Sequence, residues 1–289
     1  MKPILVKYSD NEWEFKFPPE ISNEKNHDIF WNAVEMLDYD DAAAEKVFKS
    51  LIAKFPFFID AYNHLSIAFS NQKKEFESFI TAEKAYQIGK DCFPKEFDKK
   101  KDRLIWSCLD NRPFLRSCQI LGLELQLKGS HEKAITLYDE ILRLNDNDNQ
   151  GARFLKLECL FAIKNLKAVR SLLDKLSDDW SIETTYGRVA LEVLSGNIEI
   201  ADDYLEIALG ANKFLPDEII KDKHKAPLPH RIPGEPFFGA GIPIGSIQQA
   251  FEYWKRNKNL YKDKKIIEFF KERRKPAGNN NVAASGAGH

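Results

Sequence analysis

The chain has little cysteine. Cys92, Cys108, Cys118 and Cys159 are four residues in 289, and none stands in a Cys-x-x-Cys spacing. That excludes a disulfide framework and a zinc knuckle, and it leaves four ordinary buried thiols. Charge of one sign is also missing. Lys and Arg total 43 against 44 for Asp and Glu, so the chain has no basic excess with which to coat a phosphate backbone. Long hydrophobic runs are absent as well: stretches such as Leu160-Phe161-Ala162-Ile163 fall far short of the ~20 residues of a membrane-spanning helix. Met1 to Val6 offers no signal-peptide core, so the expected compartment is the cytoplasm. What remains is a composition of 43% hydrophobic and 12% aromatic residues, enough to bury a core without help from metals or cross-links.

Glycine and proline are scarce through the middle of the chain, where apolar residues recur at i, i+3, i+4 and i+7, the mark of amphipathic helices. Before this region Trp13, Phe15 and Phe17 alternate with Glu12, Glu14 and Lys16, and Ser9-Asp10-Asn11 supplies turn formers; together they predict a β-hairpin within 1–21. Ser22 or Asn23 can cap the first helix. From there one frame returns: Ala44, Phe48, Leu51 and Pro56; Ala82, Tyr86, Gly89 and Pro94; Ala134, Tyr138, Ile141 and Asp146; Ala168, Leu172 and Lys175; Ala201, Leu205 and Ala208. Matching first helices carry Tyr62, Leu65, Ser66 and Phe69, then Cys118, Leu121, Gly122 and Leu125, then Tyr186, Val189, Ala190 and Val193. The spacing is that of a repeat of about 34 residues, with an insertion near 95–110 that reads as a solvated excursion. Small residues in the paired helices, Gly122 facing Ala134 and Ser66 near Ala82, would permit close approach.

This pattern resembles the tetratricopeptide repeat (TPR) family. The expected fold is therefore all-α: a TPR-like right-handed solenoid over 22–215, a small N-terminal hairpin, and an irregular Pro-rich cap over 216–275 in which no regular helix is expected before Ser246 caps one. The tail 276–289, rich in Gly, Ala and Asn, reads as disordered. Two further runs, Asn111-Arg112-Pro113-Phe114 with Arg116 and Asn147-Asp148-Asn149-Gln150-Gly151-Ala152-Arg153, are similar to the hallmark of a group of bacterial TPR proteins with no assigned reaction.

No Gly-x-Ser-x-Gly, His-Glu-x-x-His, P-loop or dinucleotide fingerprint occurs, so a non-catalytic role without cofactor is expected. His224 and His230 with Asp222 are a weak metal candidate, outweighed by their reading as loop histidines. In a TPR array the first helix of each pair lines the groove. The resemblance then turns Arg112, Arg116, Gln119, Gln150, Arg153 and Arg188 towards it, a constellation of guanidinium forks suited to carboxylates of a partner peptide. The competing reading has these arginines bind Asp148, Glu183 or helix-end carbonyls and lock neighbouring repeats together. The chaperone-tail clamp of the family is not matched, because Asn63, His64 and Ile67 occupy its positions. Two further functions stay open: a small-molecule or enzymatic pocket beside the loop 227–245, and a nucleic-acid adaptor using the basic stretch 252–275, where 10 basic residues against 4 acidic ones accompany Tyr253, Trp254 and Tyr261.

Overall fold

A computed structural model of the chain describes residues 1–228 and 241–273. It divides into two compact units, Met1–Lys164 and the residues from Asn165 onward. The boundary falls inside the segment that the sequence presents as one repeat array.

The first unit opens with strands β1 (Ile4–Lys7) and β2 (Trp13–Lys16), paired antiparallel in the register Leu5↔Phe15 and Lys7↔Trp13. A one-turn helix α1 (Pro19–Ser22) leads into α2 (Glu24–Met36), α3 (Asp41–Lys54), α4 (Ile59–Asn71), α5 (Glu75–Lys90), α6 (Arg112–Leu127), α7 (His131–Leu144) and α8 (Ala152–Ala162). Each helix packs on its successor, and α4 also packs on α6, so the helices α2 to α7 form three stacked pairs. Capping follows the sequence: Asn23 accepts from the Asn26 N–H and Asp40 from the Ala43 N–H. The turns from α4 into α5 and from α6 into α7 each carry one left-handed residue, Lys73 and Gly129, whereas α2 passes into α3 without one.

The repeat frame forms the core. Ala44, Phe48, Leu51, Ala134, Tyr138 and Ile141 are buried. Close approach is achieved differently from expectation: the Tyr138 ring, not Ala134, fills the space beside Gly122, where a Cβ would lie 2.5 Å from Tyr138 Cε1. Ser66 bonds Ser78 of the neighbouring helix. The tightest contact is Gly89 against Phe114, where a Cβ would come within 2.2 Å of the ring.

The insertion is a correction to the sequence reading. Its lysines 99, 100 and 101 are exposed, but Phe97, Asp102 and Leu104 are buried beneath the hairpin. The Trp13 indole donates to Asp102 Oδ2 (2.7 Å), the Trp13 N–H donates to Arg103 O, and the Arg103 N–H donates to Asn11 O. A polar excursion thus serves as the hairpin's third edge.

The second unit holds α9 (Leu166–Lys175), α10 (Ile182–Ser195), α11 (Ile198–Ala211), α12 (Leu215–Ile219), α13 (Ile247–Arg256) and α14 (Lys264–Arg273). The five-residue α12, which starts at a residue preceding Pro216, stands where no regular helix was expected; proline suits a first turn, whose N–H would be unpaired anyway. Ser246 caps α13 as expected, accepting from the Gln249 N–H. Helix α14 lies against α10, and Tyr186, Phe269 and Phe270 are buried there. In α9 the frame is displaced by one: Val169 and Leu173 are buried, whereas Lys175 is exposed and Ala168 and Leu172 are half-buried. The tail 276–289 lies outside the described residues.

Candidate functional site

The singled-out polar residues of the first unit gather where α4, α6 and α8 meet. Arg116, in the second turn of α6, forks onto Asp60 in the first turn of α4: Nε donates to Oδ1 at 3.0 Å and Nη2 to Oδ2. Asp60 is buried, and Asn63 Nδ2 donates both to its Oδ1 (3.1 Å) and to Pro113 O (2.8 Å) at the start of α6. A buried carboxylate needs a paired charge and further donors to be tolerated, and this one has both. Between α6 and the turn that leads into α8 the bonds are reciprocal. Gln150 Nε2 donates to Gln119 Oε1 (2.8 Å) and to Leu115 O, and Gln119 Nε2 donates to Gln150 O.

The two hallmark runs resolve into joints. Asn111 is fully buried: its Oδ1 accepts from the Phe15 N–H, and its Nδ2 donates to Trp13 O and Ile105 O, so one side chain ties hairpin, insertion and α6 together. Arg112 donates from Nε to Trp106 O and stacks its guanidinium 4.9 Å from the Trp106 ring centre. Asp148, with a left-handed φ of 46°, receives the Ala152 and Arg153 N–H groups and the Arg153 guanidinium, which also lies over Phe154. Gly151 is left-handed in the same turn. Among the described residues, two of the three buried polar atoms without a hydrogen bond, Asn63 Oδ1 and Gln150 Oε1, belong to this joint. Their placement favours clamping of helix-end carbonyls over full satisfaction of every lone pair.

The same face of α6 carries a second feature that the sequence reading passed over. Arg116, Ile120, Leu123 and Leu127 lie at i, i+4, i+7 and i+11, one stripe on a helix. Ile120 is half-buried, Leu123 is 37% exposed and Leu127 is 77% exposed, an apolar edge left open beside the Arg116 fork. Ile67, at the position of α4 that the resemblance assigns to the groove, is also half-buried.

In the second unit Arg188 donates to Leu173 O and lies over Tyr204. Glu183, named as an arginine partner, pairs with Arg256 instead. The buried Glu192 takes a bidentate fork from Arg170 (2.6 and 3.0 Å) and a bond from Asn197, and these hold its carboxyl below the usual range, with Arg170 the main cause. His224 stacks on Trp254 at 3.5 Å between ring centres and bonds Glu218. His230 lies outside the described residues, and the loop 227–245 is described only at its two ends. The aromatics of the basic stretch are no stacking platform: Tyr253 and Tyr261 are buried against each other and Trp254 lies under His224. The thiols are not poised as nucleophiles. Burial pushes Cys159 up to about 12, Cys92 to about 11 and Cys118 well above its ordinary value.

No helix among the described residues is long and apolar enough to cross a membrane. No protein-family model and no curated protein matches the sequence. Similar solved structures include the nearly identical TPR-like repeats of a protein of Podosopora anserina described as a kinesin light chain. That chain is 11% identical, with a TM-score of 0.50, and the match covers 64% of this chain and 94% of the other. A variant of it with one residue exchanged gives 11% identity, a TM-score of 0.49 and coverage of 64% and 93%. At such identity the likeness speaks for the fold: the chain is an all-α protein of TPR-like helix pairs.

Proposed function

We propose that the chain is a non-catalytic protein-interaction scaffold whose first unit holds a peptide segment of another protein against α6. The observation that carries this reading is the apolar edge of half-buried Ile120 and exposed Leu123 and Leu127 running beside the Arg116 fork. An amphipathic helix, or an extended segment with spaced apolar residues, buries such a stripe and leaves its own polar side to water. Arg116 spends Nε and Nη2 on Asp60. Its Nη1 has no bond among the described residues and can take a carboxylate of the peptide, which gives the partner its acidic preference. Arg112, Gln119, Gln150 and Arg153 act in this reading mainly by fixing α6 to the insertion and to the turn that leads into α8, so that the stripe is presented on a fixed face. Arg188 belongs to the second unit and does the corresponding work on α9.

The test is selection from a displayed library of random 16-residue peptides, probing the intact chain and a Leu123→Glu, Leu127→Glu variant. Selected sequences should carry apolar residues at helical spacing with an acidic residue at one end. Their affinity should fall by about 30-fold or more in the variant, the cost of losing a central apolar anchor. Absence of enrichment, or peptides that bind the variant equally well, would refute the reading.

A further inference from the structure

We infer that this chain has a second interaction surface, and that its occupant is another copy of the same chain, bound head to tail. The first half of the interface is α2. Its buried side, Asn26, Phe30 and Ala33, faces the core. The opposite side presents Glu24, Asp28, Trp31 and Glu35 at i, i+4, i+7 and i+11, with Asp38 following. The four carboxylates are exposed and make no ion pair among the described residues, and Trp31 stands among them 43% exposed. A solenoid end made only to stay soluble would be polar throughout, and a half-exposed indole in the middle of an acidic stripe is a docking element by composition.

The second half lies at the other end of the sequence. Lys258, Lys262, Lys264, Lys265 and Lys271, in and before α14, are exposed and likewise make no ion pair among the described residues, with Glu268 and Glu272 the acidic residues of the same helix. Their aromatic neighbours are buried, so the surface offers charge without stacking, which fits an acidic protein surface better than a nucleic acid. Half-buried Leu260 and Ile267 lie within this basic segment and give the indole an apolar contact. The chain is close to neutral as a whole, yet residues 1–60 hold 12 acidic against 7 basic side chains while 252–275 are reversed. Such segregation gives every copy one face complementary to the other face of its neighbour. Because the two faces differ, the contact is heterologous, and association proceeds past two copies unless a ring closes.

The experiment is sedimentation equilibrium of the intact chain over a wide concentration range at about 0.05 M and about 0.5 M salt, since screening at the higher value removes most of the attraction between exposed charges. The average mass should rise with concentration at low salt, and association should weaken at least tenfold at high salt. Two charge-reversed chains complete the test, one carrying Glu24→Lys, Asp28→Lys and Glu35→Lys, the other Lys262→Glu, Lys264→Glu and Lys265→Glu, each checked by circular dichroism and melting. Each alone should stay monomeric, because both of its faces then share one sign. Mixed in equal amounts they should associate again. An intact chain that is monomeric at every concentration in low salt overturns the inference, as does association indifferent to the reversals or not restored by mixing; those outcomes leave the α6 stripe untouched.

Discussion

Helix α6 and helix α9 are built very differently within the same design. The first buries Phe114, Leu115, Ser117, Cys118, Leu121, Gly122 and Glu124, and side chains on its two flanks bond into α4 and into the turn that leads into α8. The second buries only Val169 and Leu173 and is held to α10 by the Arg170 fork on Glu192 and the Arg188 bond to Leu173 O. What separates them is the pair of polar runs at 111–116 and 147–153. Where these occur, every singled-out polar side chain reaches a neighbouring element or caps its own helix, and the array becomes rigid. Helix α9, which lacks them, depends on a thin apolar seam. Degenerate repeats are tolerated because neighbours share their burial, but local opening concentrates where that burial is least.

The sharpest way to break the α6 side of this comparison is Phe114→Ala. The ring fills the place of a Cβ at Gly89 and touches Phe15, Tyr86 and Phe93, so its removal should cost about 3–5 kcal/mol in chemical denaturation. Next comes Arg116→Ala, which strands the buried Asp60 and should cost about 2–3 kcal/mol, with most of the loss recovered when Asp60→Asn is added. Glu45 gives a smaller, pH-dependent effect. Bonds from Lys49 and Lys74, with Gln72, bring its carboxyl from 4.5 down to about 2. A lowered folded value means that this stabilisation is present above about pH 4.5 and is lost as the pH falls towards 2. Glu45→Gln should cost about 1 kcal/mol at neutral pH and flatten the acid limb of the stability profile. The smallest global change is expected for Arg170→Ala, which should leave the melting temperature almost unmoved while amide exchange in α9 accelerates and that in α6 does not.

Much of the fold was legible because burial periodicity is a local signal. The frames at Ala44, Ala134 and Ala201 all mark buried positions, and the hairpin and both Asn23 and Ser246 caps stand where the residue types put them. The fourth frame slipped by one because Ala168 imitates the small residue, while burial follows the branched Val169 and Leu173. Partners were harder to read than faces. Arg153 on Asp148 was legible, since the two are five residues apart; Arg116 on Asp60, 56 residues away, was not. Periodicity reports which side of a helix is inside, and only the stacking of pairs decides what lies across from it. The insertion 95–110 misled for the same reason: its Phe97 and Leu104 are buried beneath a hairpin far earlier in the chain, and the Trp13 bond to Asp102 spans 89 positions.

Polar joints hold the face of α6, and an apolar stripe uses it. The most direct test sets Arg116→Ala beside Leu123→Glu, Leu127→Glu, each measured for melting temperature and for affinity to one selected peptide whose acidic residue has been replaced by its amide. The account predicts that the arginine variant melts earlier and still binds, whereas the leucine variant melts like the intact chain and loses the peptide. A leucine variant that binds normally, beside an arginine variant that is stable and blind to the peptide, would contradict it.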